Sequence, residues 1–501
     1  MSGSRRLPPP PQSSRERLAF NYGPGSVPDR RLAEAAIASA AEPTFATAAY
    51  AEPRDWGYGG LLAFTAVLLF RPQDQIPALT PFHLAEICAL IGIAPMILHR
   101  FAKRLPVFRV TKETVALMIF GLAMLASVPF SIWPGGAFEV FTDGYLKILV
   151  VFVLIMNTVT TPKRLEQLTW LIVLCVGYVA ARGVVDYARG VNLQEGDRLS
   201  GAVGGIFGNP NDLALNMVTF MPVAAVIALS KRYEPWRRAI AAFIVVLMMA
   251  TIVFTKSRGG VLGLVVMLVC LVLLGGKIRR GFGTMAVAAV LVSTPFMPSS
   301  FWVRMASIVD EEADAKQFTG SREARRVVMQ EGIDTFVEHP LTGVGAGQFQ
   351  NYNPPQRKER WRETHNVLIQ VAAETGILGL LTFSYLILRA AIAAALTRRL
   401  LRRSPRQARD ALDIVLSPDE RHKLYGHTVA MTAGLIGWFT CAMFASVGYN
   451  WTFYYVLALI VAARELTLYR ILAARAVVSG RANAAFVPGA NFSRRAAPGL
   501  A

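Results

Sequence analysis

Arg198, Arg258, Arg322 and His365 are the side chains best suited to chemistry, because each lies in a polar segment near the edge of an apolar run. An arginine guanidinium is planar, keeps its proton and grips phosphate or carboxylate oxygens two at a time. An unperturbed imidazole titrates at about pH 6.5, so a neutral histidine can accept a proton from a hydroxyl. Together these groups suit a reaction in which an anion is held while a proton moves. His365 precedes a helix expected to start near Asn366, where the macrodipole disfavours imidazolium and free backbone N–H groups offer an anion site. Asn211, Asn366 and Glu374 are candidates for acceptor binding or support.

Each residue also has a plainer reading. His365 can be an interfacial cap, Arg258 a side chain snorkelling to a membrane surface, and Arg198 and Arg322 solvated charges. Glu374 stands about two turns into an apolar run, where a carboxylate is costly; it is expected either to be paired, for example with an arginine, or to serve catalysis or acceptor binding. Asn211 and Asp212 open a helix, so capping can account for both.

The elements that carry these residues are apolar helices. Of 501 residues, 53% are hydrophobic and 17% charged, and the apolar ones come in long runs. A bilayer core about 30 Å thick needs roughly 17 to 25 such residues per helix, with every backbone polar group satisfied internally. The runs are 57–70, 82–98, 115–132, 145–159, 168–187, 213–229, 240–254, 261–274, 285–297, 367–396, 429–447 and 451–468. They predict an all-α polytopic membrane protein with about twelve spans. Residues 1–55, rich in Pro, Ser, Ala and Arg, and residues 476–501 read as disordered cytoplasmic tails. Spans one to nine occupy 56–298, a large outer loop containing helices occupies 299–365, and the last three spans occupy 366–475. Cys88, Cys175, Cys270 and Cys441 all fall inside apolar runs, without the spacing of a zinc site or a defensible disulfide.

The net charge of +19 would suggest nucleic acid in a soluble protein, but the basic residues here cluster in alternate connections. Arg100 to Lys112, Lys163 and Arg164, Lys231 to Arg238, Lys277 to Arg280, and Arg398 to Arg409 fill the connections expected on the cytoplasmic side. The segments 133–144 and 448–450 have no Lys or Arg. Three outer segments break the pattern: the stretch from Gly196 to Asp212, the turn Thr255-Lys256-Ser257-Arg258-Gly259-Gly260, and the large loop with Arg304, Arg322, Arg325, Arg326, Arg357, Arg360 and Arg362. Topogenesis does not want arginines there, so they point to function. In the large loop Ser321 can cap a helix running to His339-Pro340, with Val328, Gly332 and Phe336 on a stripe able to lie on the membrane. A glycine-spaced turn follows from Gly343 to Gly347. It is not a nucleotide loop, because no strand precedes it and no P-loop lysine follows. The acidic run from Asp310 to Asp314 has no histidine and no coordinating spacing, so it reads as solvated loop.

Four groups of residues carry a family resemblance. They are Arg198 with Gly208-Asn209-Pro210-Asn211-Asp212; Lys256-Ser257-Arg258-Gly259-Gly260; His339-Pro340 through Gly343-Val344-Gly345; and His365-Asn366 with Glu374-Thr375-Gly376-Ile377-Leu378-Gly379. In this order, over roughly residues 198 to 383, they resemble the O-antigen ligase and O-antigen polymerase superfamily of bacterial envelopes. The long N-terminal tail is not part of that pattern. The resemblance implies an inverting, metal-independent glycosyltransferase without a cofactor in the inner membrane. Its donor would be a glycan on undecaprenyl diphosphate, and its acceptor lipid A core or another glycan, at the periplasmic face. Membrane lipids would be partners and nucleic acid would not. Arg258, Arg322 and Arg198 would then bind the diphosphate, and His365 would be the base. The slight preference is for a ligase over a repeat-unit polymerase.

A transporter or lipid-linked glycan flippase is the rival from another class. The two halves show no matching pair of broken helices, and Lys147, Arg182, Glu374, Arg389 and Arg464 form no repeated midplane set. The topology is testable: alkaline phosphatase fused after Thr142 should be active, and after Tyr233 or Arg399 inactive. The opposite pattern would invert the whole assignment.

Overall fold

The computed structural model describes residues 55–102, 104, 106–194, 197–276, 281, 283, 297, 299–306, 322–352, 363–402 and 415–478, with backbone alone at 300, 306, 322–324 and 475–478. The expected tails, the run 285–297 and the segments 307–321 and 353–362 lie outside these residues apart from their margins.

The chain is helical. In order the main helices are α1 (Trp56–Phe70), α2 (Leu84–Ala102), α3 (Lys112–Ser127), α4 (Leu146–Thr158), α5 (Pro162–Ala188), α6 (Pro210–Leu229), α7 (Pro235–Thr255), α8 (Arg258–Leu274), α9 (Ser299–Ala306), α10 (Arg322–Glu338), α11 (Val367–Leu401), α12 (Pro418–Ala442) and α13 (Trp451–Val478). Six stretches are long and apolar enough to cross a membrane: Pro77–Ala102, Lys112–Phe130, Pro162–Ala188, Pro210–Leu229, Pro235–Thr255 and Val367–Leu401. α8 is a shorter apolar helix, while α1, α4, α12 and α13 coincide with other expected runs. The strands β1 (Leu193–Gln194) and β2 (Arg198–Leu199) pair antiparallel between α5 and α6, with Arg198 opposite Gln194.

Local sequence sets the helix starts. Thr161, Asn209 and Ser417 each stand before a proline at the first helical position and accept a backbone N–H with the side chain. Proline has no N–H to leave unsatisfied there, and the cap removes another orphan donor.

α6 is the most deeply buried of the candidate spans and packs against α5, α7, α8 and α12. Lipid tails are as apolar as leucine, so helices in a bilayer associate through close approach at small residues. A Cβ on Gly434 of α12 would stand 2.3 Å from the Thr219 carbonyl oxygen of α6, and one on Gly263 of α8 would stand 2.3 Å from Cys441 Sγ.

The bundle has two distinct polar ends. At one, Arg237 and Lys423 pair with Glu166, and Arg232 with Asp419. At the other, the end of α7 and the starts of α6, α8 and α11 meet the end of α12. Glu113, fully buried in the first turn of α3, accepts both arms of Arg464 from α13 at 2.7 Å and Nε of Arg389 from α11 at 2.8 Å. The remaining charges noted in the apolar runs are also partnered: Lys147 with Glu86, and Arg182 with Asp186. Glu113→Ala leaves two arginines without their shared carboxylate and should cost about 3–5 kcal/mol. Thermal unfolding of the purified protein checks this; an unchanged midpoint would show that the three-helix tie contributes nothing.

Candidate active site

The turn between α7 and α8 builds the first half of the site. Lys256 ends α7 with φ 50°, in the left-handed region, and Ser257 caps α8 by accepting from Gly260 N at 3.2 Å. Non-glycine residues held in that region tend to cluster where function needs the backbone fixed. The Ser257 hydroxyl donates to Asn211 Oδ1 at 2.9 Å, and the same oxygen accepts from the guanidinium of Arg198 at 2.9 Å. Arg198 also donates through Nε to the Thr255 carbonyl at 3.1 Å. The buried Lys256 pairs with Asp197, the neighbour of Arg198 in the chain. Asn209 caps α6, so Asn211 is no cap: its side chain joins β2 to the α7–α8 turn.

Arg198 and Arg258 line one cleft together with Arg304 of α9, Arg325 of α10, Asn211 and Phe444. Among the described residues no Asp or Glu lines it. Sequence reasoning counted Arg304 and Arg325 among the arginines of the large outer loop and assigned neither to the diphosphate. Arg322 begins α10 one turn before Arg325, and its side chain lies outside the described residues. The register of α10 decides which arginine enters the cleft. It is set by Gly332, where a Cβ would stand 2.5 Å from Ile369 of α11, and by Val328, buried with Phe349 and Ala373. This corrects the expected membrane-facing stripe: Val328 and Gly332 pack on protein, while Ile333, Val337 and Leu341 are exposed.

The second half is built where α11 begins and where it breaks. Asn366 caps α11, its side chain accepting from Leu368 N at 3.0 Å and Ile369 N at 3.2 Å. His365 is therefore not the cap; it stands just outside the helix with φ 52°. Gly376 has φ 67° and ψ −164°, interrupting the helix. The glycine-rich loop fills that break: Val344 N donates to Ala373 O at 3.0 Å, Gly345 N to Glu374 O at 3.0 Å, and Ile377 N to Pro340 O at 2.8 Å. Glu374 accepts from Gly347 N at 3.0 Å and Phe349 N at 3.3 Å. Its expected arginine partner is replaced by backbone amides, because the loop reaches the buried carboxylate with N–H groups.

The end of α12 joins the two halves. Cys441 Sγ meets the Gly259 carbonyl at 3.5 Å, and Phe444 walls the arginine cleft. Met443 O accepts from Asn366 Nδ2 at 3.4 Å, and Ser446 Oγ accepts from His365 N at 3.1 Å. Arg198, Arg258 and Asn211 are thus in one cleft, with His365 and Asn366 on the neighbouring wall and Glu374 beneath the loop. Among the described residues no group of His, Cys, Asp and Glu is arranged to hold a metal ion. Four guanidinium groups lining one cleft suit a polyanion.

A Cβ on Gly343 (φ 67°) would stand 2.3 Å from the Glu374 carbonyl carbon. Gly343→Ala should therefore unlatch the loop and speed amide exchange across 340–352 by about tenfold or more. Unchanged exchange by mass spectrometry would show that the loop is held by something else.

No curated protein matches the chain. Residues 243–384 match the family model described as O-Antigen ligase. The matched segment runs from α7 through Arg258, Arg304, Arg325 and the glycine-rich loop to His365 and the break in α11, and over it the chain is similar to that family.

Proposed function

We propose that the protein is a metal-independent, inverting glycosyltransferase of the O-antigen ligase type. It transfers a glycan from undecaprenyl diphosphate to a hydroxyl of lipid A core at the periplasmic face of the inner membrane, with both chain termini in the cytoplasm. The observation that carries this reading is the convergence of Arg198, Arg258, Arg304 and Arg325 on one cleft, beside His365.

In the proposed reaction the acceptor oxygen attacks the anomeric carbon from the face opposite the leaving group. The bond from that carbon to the diphosphate oxygen breaks, and its electron pair leaves with the diphosphate. Arg258 and Arg198, with Arg322 as a further contributor from the start of α10, meet the negative charge that grows there. At the rim of a low-dielectric bundle such fixed donors act more strongly than in water. The imidazole of His365 takes the proton of the acceptor hydroxyl. Asn211 positions Arg198 and the α7–α8 turn; Asn366 and Glu374 hold His365 and the glycine loop in place.

Arg258→Ala and His365→Ala should each lower transfer by about 10²–10⁴-fold, with the protein inserted at normal levels. Full activity in both variants would overturn the assignment. In a deletion strain a ligase leaves long glycan on undecaprenyl and bare lipid A core. A polymerase of the same superfamily leaves single repeats, and an unchanged glycan profile with altered uptake supports a transporter.

A further inference from the structure

The connection between α12 and α13, residues 443–450, lies against the first turn of α11 and is pinned to it at two places. Asn366 Nδ2 donates to Met443 O at 3.4 Å, and Gly448 N donates to Gln370 Oε1 at 3.0 Å. At the second pin the backbones are as close as they can come, since a Cβ on Gly448 would stand 2.7 Å from Val371 Cγ2 of α11. Ser446 sits between the pins, so its hydroxyl meets the entry of α11 from a fixed backbone.

The hydrogen bonds of that hydroxyl have a definite direction. Thr364 Oγ1 donates to Asn366 O at 3.1 Å, which uses its one proton. The 3.1 Å contact between Thr364 Oγ1 and Ser446 Oγ is therefore donated by Ser446. Ser446 Oγ in turn accepts from His365 N at 3.1 Å. The chain runs from His365 N–H to Ser446, from Ser446 O–H to Thr364, and from Thr364 O–H to Asn366 O, each link polarising the next. It ties together the three residues that lead into α11. His365 is the middle one, and its φ of 52° is a conformation that a residue with a Cβ keeps only where its surroundings hold it. Rotation about N–Cα moves the imidazole relative to the N–H of the same residue. Fixing that N–H on one side and Asn366 on the other therefore fixes where the ring points.

We propose that Ser446 is a positioning residue: acting through the backbone of His365, it holds the imidazole in the direction from which the ring takes its proton. This rests on the reading of His365 as the base. Phe444, two residues earlier in the same connection, lines the arginine cleft. One short segment thus sets the base and a wall of the diphosphate site from a single backbone.

The test measures kcat and KM for the full chain in liposomes. The donor is a glycan on undecaprenyl diphosphate, and the acceptor is lipid A core or a second lipid-linked repeat, whichever the unsubstituted protein uses. Ser446→Ala leaves both pins in place and should lower kcat by about tenfold to a hundredfold, the cost of a misdirected base, with KM changed by less than about twofold. Ser446→Thr keeps the hydroxyl and should restore most of the rate. Thr364→Val has the shape of threonine but cannot accept from Ser446; it should lower kcat in the same sense, and it carries the test if Ser446→Ala fails to fold. In a His365→Ala protein, adding Ser446→Ala should change the residual rate by less than about twofold, because no ring is left to direct. Unchanged kcat in Ser446→Ala and Thr364→Val, or a loss that persists in full without the imidazole, overturns the positioning role and leaves the base reading intact. Full transfer by His365→Ala alone overturns the base reading and the positioning role with it. An unsubstituted protein that transfers to neither acceptor overturns the transferase reading itself.

Discussion

A helix inside a bilayer cannot leave backbone groups without partners, and α11 breaks at Gly376, about two turns below its start. In an unbroken helix Ile377 N–H would bond to the Ala373 carbonyl. Here Ile377 turns to Pro340, Ala373 is taken by Val344, and Glu374 by Gly345. The break and the loop exchange hydrogen bonds one for one, so neither is satisfied without the other. The fit admits only glycine at the contacts: a Cβ on Gly343 would strike Glu374, and one on Gly376 would stand 2.3 Å from the Leu341 carbonyl oxygen. His365, the docking of α10 and the segment around Ser131 and Ile132, whose N–H bonds to Val344 at 3.3 Å, all hang on this one exchange.

Electrostatics follow a division of labour. Charges that hold the bundle are paired within it, as Glu113 is with Arg389 and Arg464. At the site Asp197 pairs with Lys256, and Glu374 accepts from the amides of Gly347 and Phe349. Among the described residues the cleft lining has four guanidinium groups and no carboxylate. A buried ion pair is weak support for stability in itself; Lys256 and Asp197 matter more because they stand beside Arg198, which reaches Asn211 and the Thr255 carbonyl.

Joining the two halves falls to the end of α12. Its approach to α8 is as close as Gly263 and Gly259 permit, and the residues just beyond it reach both Arg258's turn and His365. Small residues in the spans thus set the spacing of polar groups at the surface, which ties packing in the apolar region to geometry at the site.

Much of this was legible in the chain itself. Apolar run length reports helices because the bilayer imposes that length, whereas the caps fell on Asn209 and Asn366, beside the Asn211, Asp212 and His365 that were expected to cap. Arg198, Arg258 and His365 stood out because their types and flanks differ from topogenic charges. That Arg325 of α10 lines the cleft was not legible, since it depends on where Gly332 meets Ile369, a contact between distant segments. Nor was the partner of Glu374: a carboxylate can be answered by arginine or by backbone amides, and only the folded loop shows which. The sequence by itself determined the helices, set by apolar runs and local propensity, and the residue types available for chemistry. Tertiary structure alone decided which of them share a cleft, because that depends on long-range packing at glycines whose partners no local pattern names.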